Sequence, residues 1–74
     1  MQKNIKNELQ LFVSVELNEA RNLKTSQEVL CARNRAFGAV LFAFTLDSEL
    51  YKELLDWWND DMLDKFNALI NEKK

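Results

Sequence analysis

The chain has 74 residues, of which 47% are hydrophobic and 30% are charged, and its formal net charge is −2. This length predicts one domain over residues 1–74, with no room for a second core. The absence of histidine and the single cysteine exclude an internal disulfide, zinc sites built on imidazoles or several thiolates, and most catalytic schemes. We therefore expect a non-enzymatic protein without a metal or cofactor.

Location and broad partner class follow from the charge and hydropathy patterns. Residues 1–8 carry two lysines but no apolar run of the kind found in a secretory signal. The longest apolar stretch, residues 36–44, has nine residues, and a helix that crosses a bilayer needs roughly 20. An acidic chain without basic tracts neutralises few phosphates. We expect a cytoplasmic protein that binds neither membranes nor nucleic acid.

The first element is predicted to be a helix over residues 4–22. Ile5, Leu9 and Val13 lie on one helical face, although Glu16 projects into the same face. Residues 9–17 also have an apolar side chain at every second position, which is typical of a half-buried strand. This leaves open an alternative α+β fold in which that strand pairs with its counterpart in a second copy.

The second helix is predicted over residues 26–45. Thr25 and Glu28 have the spacing of a capping box, in which each side chain accepts a hydrogen bond from the other residue's backbone. After Arg35 the helix is apolar nearly all round, which is typical of the central element of a bundle. A strip of small residues along it predicts close approach of a neighbouring helix; this strip is Ala32, Ala36, Ala39 and Ala43.

The third helix is predicted over residues 48–71, with Asp47 as its N-cap. Projected at about 100° per residue, its apolar side chains span roughly 200°, about twice the stripe that one neighbour covers. We therefore expect self-association, with a dimer favoured. The residues predicted to take part are the alanine strip (Ala32, Ala36, Ala39, Ala43) together with Trp58, Met62 and Phe66.

One face of the third helix is strongly acidic. Seven acids and a single lysine lie between Asp47 and Asp64, and five of those acids fall on one helical face. A solvated surface is the ordinary interpretation, whereas Trp57 beside the acids is typical of a contact with another chain. The predicted partner-binding residues are Glu49, Glu53, Asp56, Trp57, Asp60 and Asp64, and the expected partner is a basic protein.

Together these patterns predict an all-α, three-helix mini-domain that is completed as a bundle by self-association. The first functional hypothesis is a homo-oligomeric interaction or structural protein. The alternative is a small acidic regulator or inhibitor that docks its 49–64 face on a basic partner protein.

Overall fold

The structure, a computed structural model, describes the backbone of residues 2–74 and the side chains of residues 4–74. Its elements are α1 (Gln2–Ala20), α2 (Ser26–Leu46), α3 (Ser48–Trp57), a π-helical turn (Trp58–Met62) and α4 (Leu63–Glu72). The last three follow one another without a break, and we call them together the third helix. The predicted all-α fold of three helices is confirmed.

The alternative of a strand over residues 9–17 is wrong, because this segment lies inside α1. Val13 and Leu17, one helical turn apart, are 0% and 5% exposed. Leu11 and Val15 would share the buried face of a strand with Val13, yet they are 63% and 45% exposed. The segment therefore follows the helical period, and its backbone groups are paired within α1 rather than with a second chain.

Local side-chain hydrogen bonds fix where the helices begin. The Glu28 N–H donates to Thr25 Oγ1 at 3.2 Å, and the Thr25 N–H donates to Glu28 Oε1 at 3.2 Å. This confirms the capping box at the start of α2. Asp47 separates α2 from the third helix: its N–H donates to the Ala43 carbonyl at 3.0 Å, while its Oδ1 accepts from the Glu49 N–H at 2.8 Å.

The core consists of apolar side chains from all three helices, with α2 packed against both of the others. Among the described residues no polar or charged side chain is buried. The buried residues are Val13, Leu17 and Ala20 of α1, Val29, Ala32, Ala36, Val40 and Ala43 of α2, and Leu50, Leu54, Trp58, Met62, Phe66 and Leu69 of the third helix.

The residues predicted to mediate self-association lie inside this core. Trp58, Met62 and Phe66 are at most 3% exposed. Of the alanine strip, Ala39 is half-buried against the core and the other three are buried. The strip lets the neighbouring helices of the same chain approach α2, so these residues are covered within one chain.

The π-helical turn explains why the apolar side chains of the third helix occupy a narrower arc than predicted. Its buried residues from Leu50 to Phe66 are spaced by four, and on a straight α-helix each such step drifts by about 40°. In the π turn the Leu63 N–H donates to the Trp58 carbonyl, an i→i+5 bond that adds one residue to the turn. One extra residue turns the following side chains back by about 100°. The apolar arc narrows accordingly and one chain covers it.

Candidate functional site

The acidic face of the third helix is a solvent-exposed surface. Its five predicted acids are all exposed, and Trp57 is half-buried against the core. Glu53 pairs with Lys6 of α1 at 3.2 Å, and the neighbouring Asp61 pairs with Lys65 at 3.2 Å. Within residues 2–74 no three acidic or thiol side chains gather closely enough to hold a metal ion. The acids of this face therefore form an extended surface.

Among the side chains of residues 4–74, the large apolar ones that are exposed all lie on α1 and α2. They are 45–63% exposed, although the prediction placed the surplus apolar surface partly on the third helix. The residues are Leu11, Phe12, Val15, Leu41, Phe42, Phe44 and Leu46. A signal was present in α1, where Leu11 and Val15 fall outside the face shared by Ile5, Leu9 and Val13.

An ion pair links α1 to α2. Arg35 Nη2 and Nε each lie 3.3 Å from a carboxylate oxygen of Glu16. This hydrogen bond and the charge of Glu16 raise the pKa of Arg35 above its ordinary value. The helices α1 and α2 are antiparallel. Phe12 lies one turn before Glu16 and Phe42 lies two turns after Arg35, so both lie on the same side of the α1–α2 pair as the ion pair.

We call this surface the outer face of the α1–α2 pair. By helical position it comprises five exposed side chains: Leu11, Phe12 and Val15 of α1, and Phe42 and Leu46 of α2. Leu41, one turn after Phe37, lies about 100° away from Phe42 around α2. Gly38 lies between Arg35 and Phe42, and a Cβ built on it would meet no atom within 4 Å. Phe44 lies on a different side of α2, where its ring is 5.2 Å from that of Tyr51.

A cleft of about 400 Å³ opens on the opposite side of α2, against the third helix. Its polar residues are Arg33 and Asn34 of α2 with Asn59 and Asn67 of the third helix. Arg33 reaches the third helix and bonds an amide there: its Nη1 donates to Asn67 Oδ1 at 2.9 Å.

By length and composition alone, α2 is long and apolar enough to cross a membrane. Its most apolar 18-residue window has a mean hydropathy of 1.4, and 28% of that window is buried in the bundle. The central helices of soluble bundles can have the same length and composition, so this property is common to membrane-spanning helices and to core helices of soluble proteins.

No family model matches this sequence, and comparisons with curated proteins and with solved structures return no significant match.

Proposed function

We propose that the chain is a non-enzymatic interaction protein of the cytoplasm that acts as a homodimer through the outer face of the α1–α2 pair. The observation that carries the proposal is the set of five large apolar side chains, each 45–63% exposed, on that face. Scattered apolar residues are normal on protein surfaces, whereas a contiguous patch is typical of an interaction site.

The size of the patch supports a protein interface. The chain exposes 4987 Å² in total, close to the roughly 4700 Å² of a compact monomer of 8.7 kDa. A half-exposed leucine, valine or phenylalanine presents roughly 100 Å², so five present about 500 Å². That lies within the range of about 300–600 Å² for the largest apolar patch on a typical monomer, which is often functional, and is more than half of the about 800 Å² that each partner buries in a standard interface.

A second copy is the occupant that suits this face. A two-fold interface joins the same patch on both subunits, so an apolar face meets an equally apolar face. Arg35 at its edge is already paired with Glu16 in the same chain, which leaves little unbalanced charge to desolvate. A 74-residue domain also gains stability from the additional burial.

The test is the mass of the protein in solution as its concentration rises. We expect wild-type mass to rise from 8.7 kDa to twice that value in the micromolar range. Phe42→Glu, which places a charge in the interface, should weaken dimerisation by roughly 30-fold or more and leave the helical circular dichroism unchanged. Sedimentation equilibrium measures the mass of the wild type and of the variant, and a circular dichroism spectrum checks the helix content of the variant.

Phe44→Glu is the matched control, because Phe44 is 62% exposed but lies beside Tyr51 and not on the outer face. This variant should dimerise like wild type. A wild-type protein that stays monomeric at high micromolar concentration contradicts the proposal. Equal loss of dimer in both variants contradicts the assignment of the outer face.

The acidic face supports a second candidate function, docking on a basic protein. Four of its acids are exposed and have no ion pair among the side chains of residues 4–74; they are Glu49, Asp56, Asp60 and Asp64. An interface of this kind binds through exposed charges, so it weakens as salt increases.

For this second function, we expect the double variant Asp56→Lys/Asp60→Lys to lose a salt-sensitive protein partner that wild type retains in affinity capture. Reversal of Glu8 and Glu19, exposed acids of α1, is the matched control and should retain that partner. A partner that survives reversal of the acidic face, or that is lost equally in the control, eliminates this function.

A further inference from the structure

We propose that the cleft between α2 and the third helix binds a small carboxylate that carries a flat apolar group. The cleft has a volume of about 400 Å³, within the range of about 300–1,000 Å³ found for small-molecule sites. It lies on the opposite side of α2 from the outer face, so it is independent of the proposed dimer.

The polar residues of the cleft favour an anion. They comprise one guanidinium and three amides, and no carboxylate lines the cleft, although the chain has 12 acidic residues. Arg33 is half-buried and makes no ion pair among residues 2–74. A guanidinium has five N–H donors in a fixed plane, and such a group binds carboxylates through two parallel hydrogen bonds.

Arg33 is held in place before any ligand arrives. Its Nη1 donates to Asn67 Oδ1 at 2.9 Å, which engages one donor and leaves the others for a ligand. Because Asn67 accepts through its oxygen, its amide nitrogen remains a donor. Fixing the guanidinium in this way reduces the side-chain entropy that binding has to overcome.

The apolar lining favours a flat group attached to the carboxylate. Phe37 and Trp58 line the cleft, with their ring centroids 5.3 Å apart, and Leu55 and Leu63 complete the apolar wall. The π turn, which begins at Trp58, places Trp58 in the core while the next residue, Asn59, lines the cleft. Such turns occur frequently at functional sites. An aromatic ring fits against these side chains, with its carboxylate directed at Arg33.

The experiment compares 3-phenylpropionate with 3-phenylpropionamide, which has the same shape without the charge. Binding is followed by amide chemical shifts in two-dimensional NMR, with the intrinsic tryptophan fluorescence of Trp57 and Trp58 as a second readout. We expect the carboxylate to bind at least about 10-fold more tightly than the amide, with shifts centred on residues 33–37, 55–59 and 63–67.

Variants test the role of Arg33. Arg33→Met keeps the apolar stem and should remove the preference for the carboxylate, whereas Arg35→Met removes the same charge from the same helix outside the cleft and should preserve it. Asn67→Asp is a second variant that does not depend on Arg33→Met folding. Its carboxylate would pair with Arg33 in place of the ligand and should weaken binding by about 10-fold or more.

Three results would overturn the proposal. They are the absence of saturable binding of 3-phenylpropionate, equal binding of the amide, and shifts centred on the outer face. Unchanged affinity in Asn67→Asp would also exclude Arg33 as the carboxylate ligand. Since Phe42→Glu does not touch the cleft, its effect on dimerisation is measured separately and the two proposals fail independently.

Discussion

Replacement of Phe66 by alanine is expected to lower the free energy of unfolding by about 3–5 kcal/mol. Phe66 is 0% exposed and its ring lies 5.6 Å from that of Trp58, so truncation leaves a cavity at the centre of the core. A domain of 74 residues has a total stability of about 4–11 kcal/mol. The variant should therefore lose a large share of the total stability, as measured by urea denaturation at one fixed protein concentration.

The matched control for this prediction is Phe44→Ala, the same substitution at a side chain that is 62% exposed. It removes one ring contact with Tyr51, and we expect it to cost no more than about 1 kcal/mol. A loss below about 1 kcal/mol for Phe66→Ala would contradict the packing described for the third helix.

Deletion of Asp60 is expected to leave the fold intact, although removing a residue from the middle of a helix ordinarily rotates everything after it. Asp60 is exposed and lies inside the π turn. Removing it allows the turn to become α-helical, because the turn contains one residue more than an α-helix needs. Met62 and Phe66 then keep their positions in the core. We expect the free energy of unfolding to change by no more than about 1 kcal/mol.

Deletion of Gly38 is the comparison, because Gly38 has no side chain to lose and a Cβ at its position would contact no atom within 4 Å. No π turn in α2 compensates for the missing residue, so Val40 and Ala43 would rotate by about 100° out of the core. A loss of at least about 3 kcal/mol is expected. If both deletions unfold the protein equally, the register account of the π turn is wrong.

The helix boundaries were predictable because their signals are local. The capping box at Thr25 and the N-cap at Asp47 each depend on residues within three positions, and both predictions are confirmed. The end of α1 was placed two residues late, because the chain leaves α1 after Ala20 in a turn closed by hydrogen bonds from Arg21 to Leu17 and from Leu23 to Ala20.

The π turn has a signal in the sequence, which a projection onto a straight helix does not reveal. Five apolar residues at an unbroken spacing of four fit neither 3.6 residues per turn nor a single face of a straight helix. Reading their drift as a second apolar face led to the expectation that another chain covers it. The drift marks the position of an inserted residue instead.

The outer face and the cleft depend on long-range packing and could not be located from the sequence. Because α2 is apolar nearly all round, only the positions of the two neighbouring helices decide which of its side chains remain exposed. Likewise Arg33 and Asn67 are separated by 34 positions, and no local pattern indicates that they meet.

Asp47 has a mechanical consequence for both proposed surfaces. Because a single residue both ends α2 and starts the third helix, the connection is too short for one helix to tilt without the other. A change in the angle of α2 would be transmitted to the helix on the far wall of the cleft. Lengthening this connection by a few flexible residues would uncouple the two movements without altering a single residue of either surface.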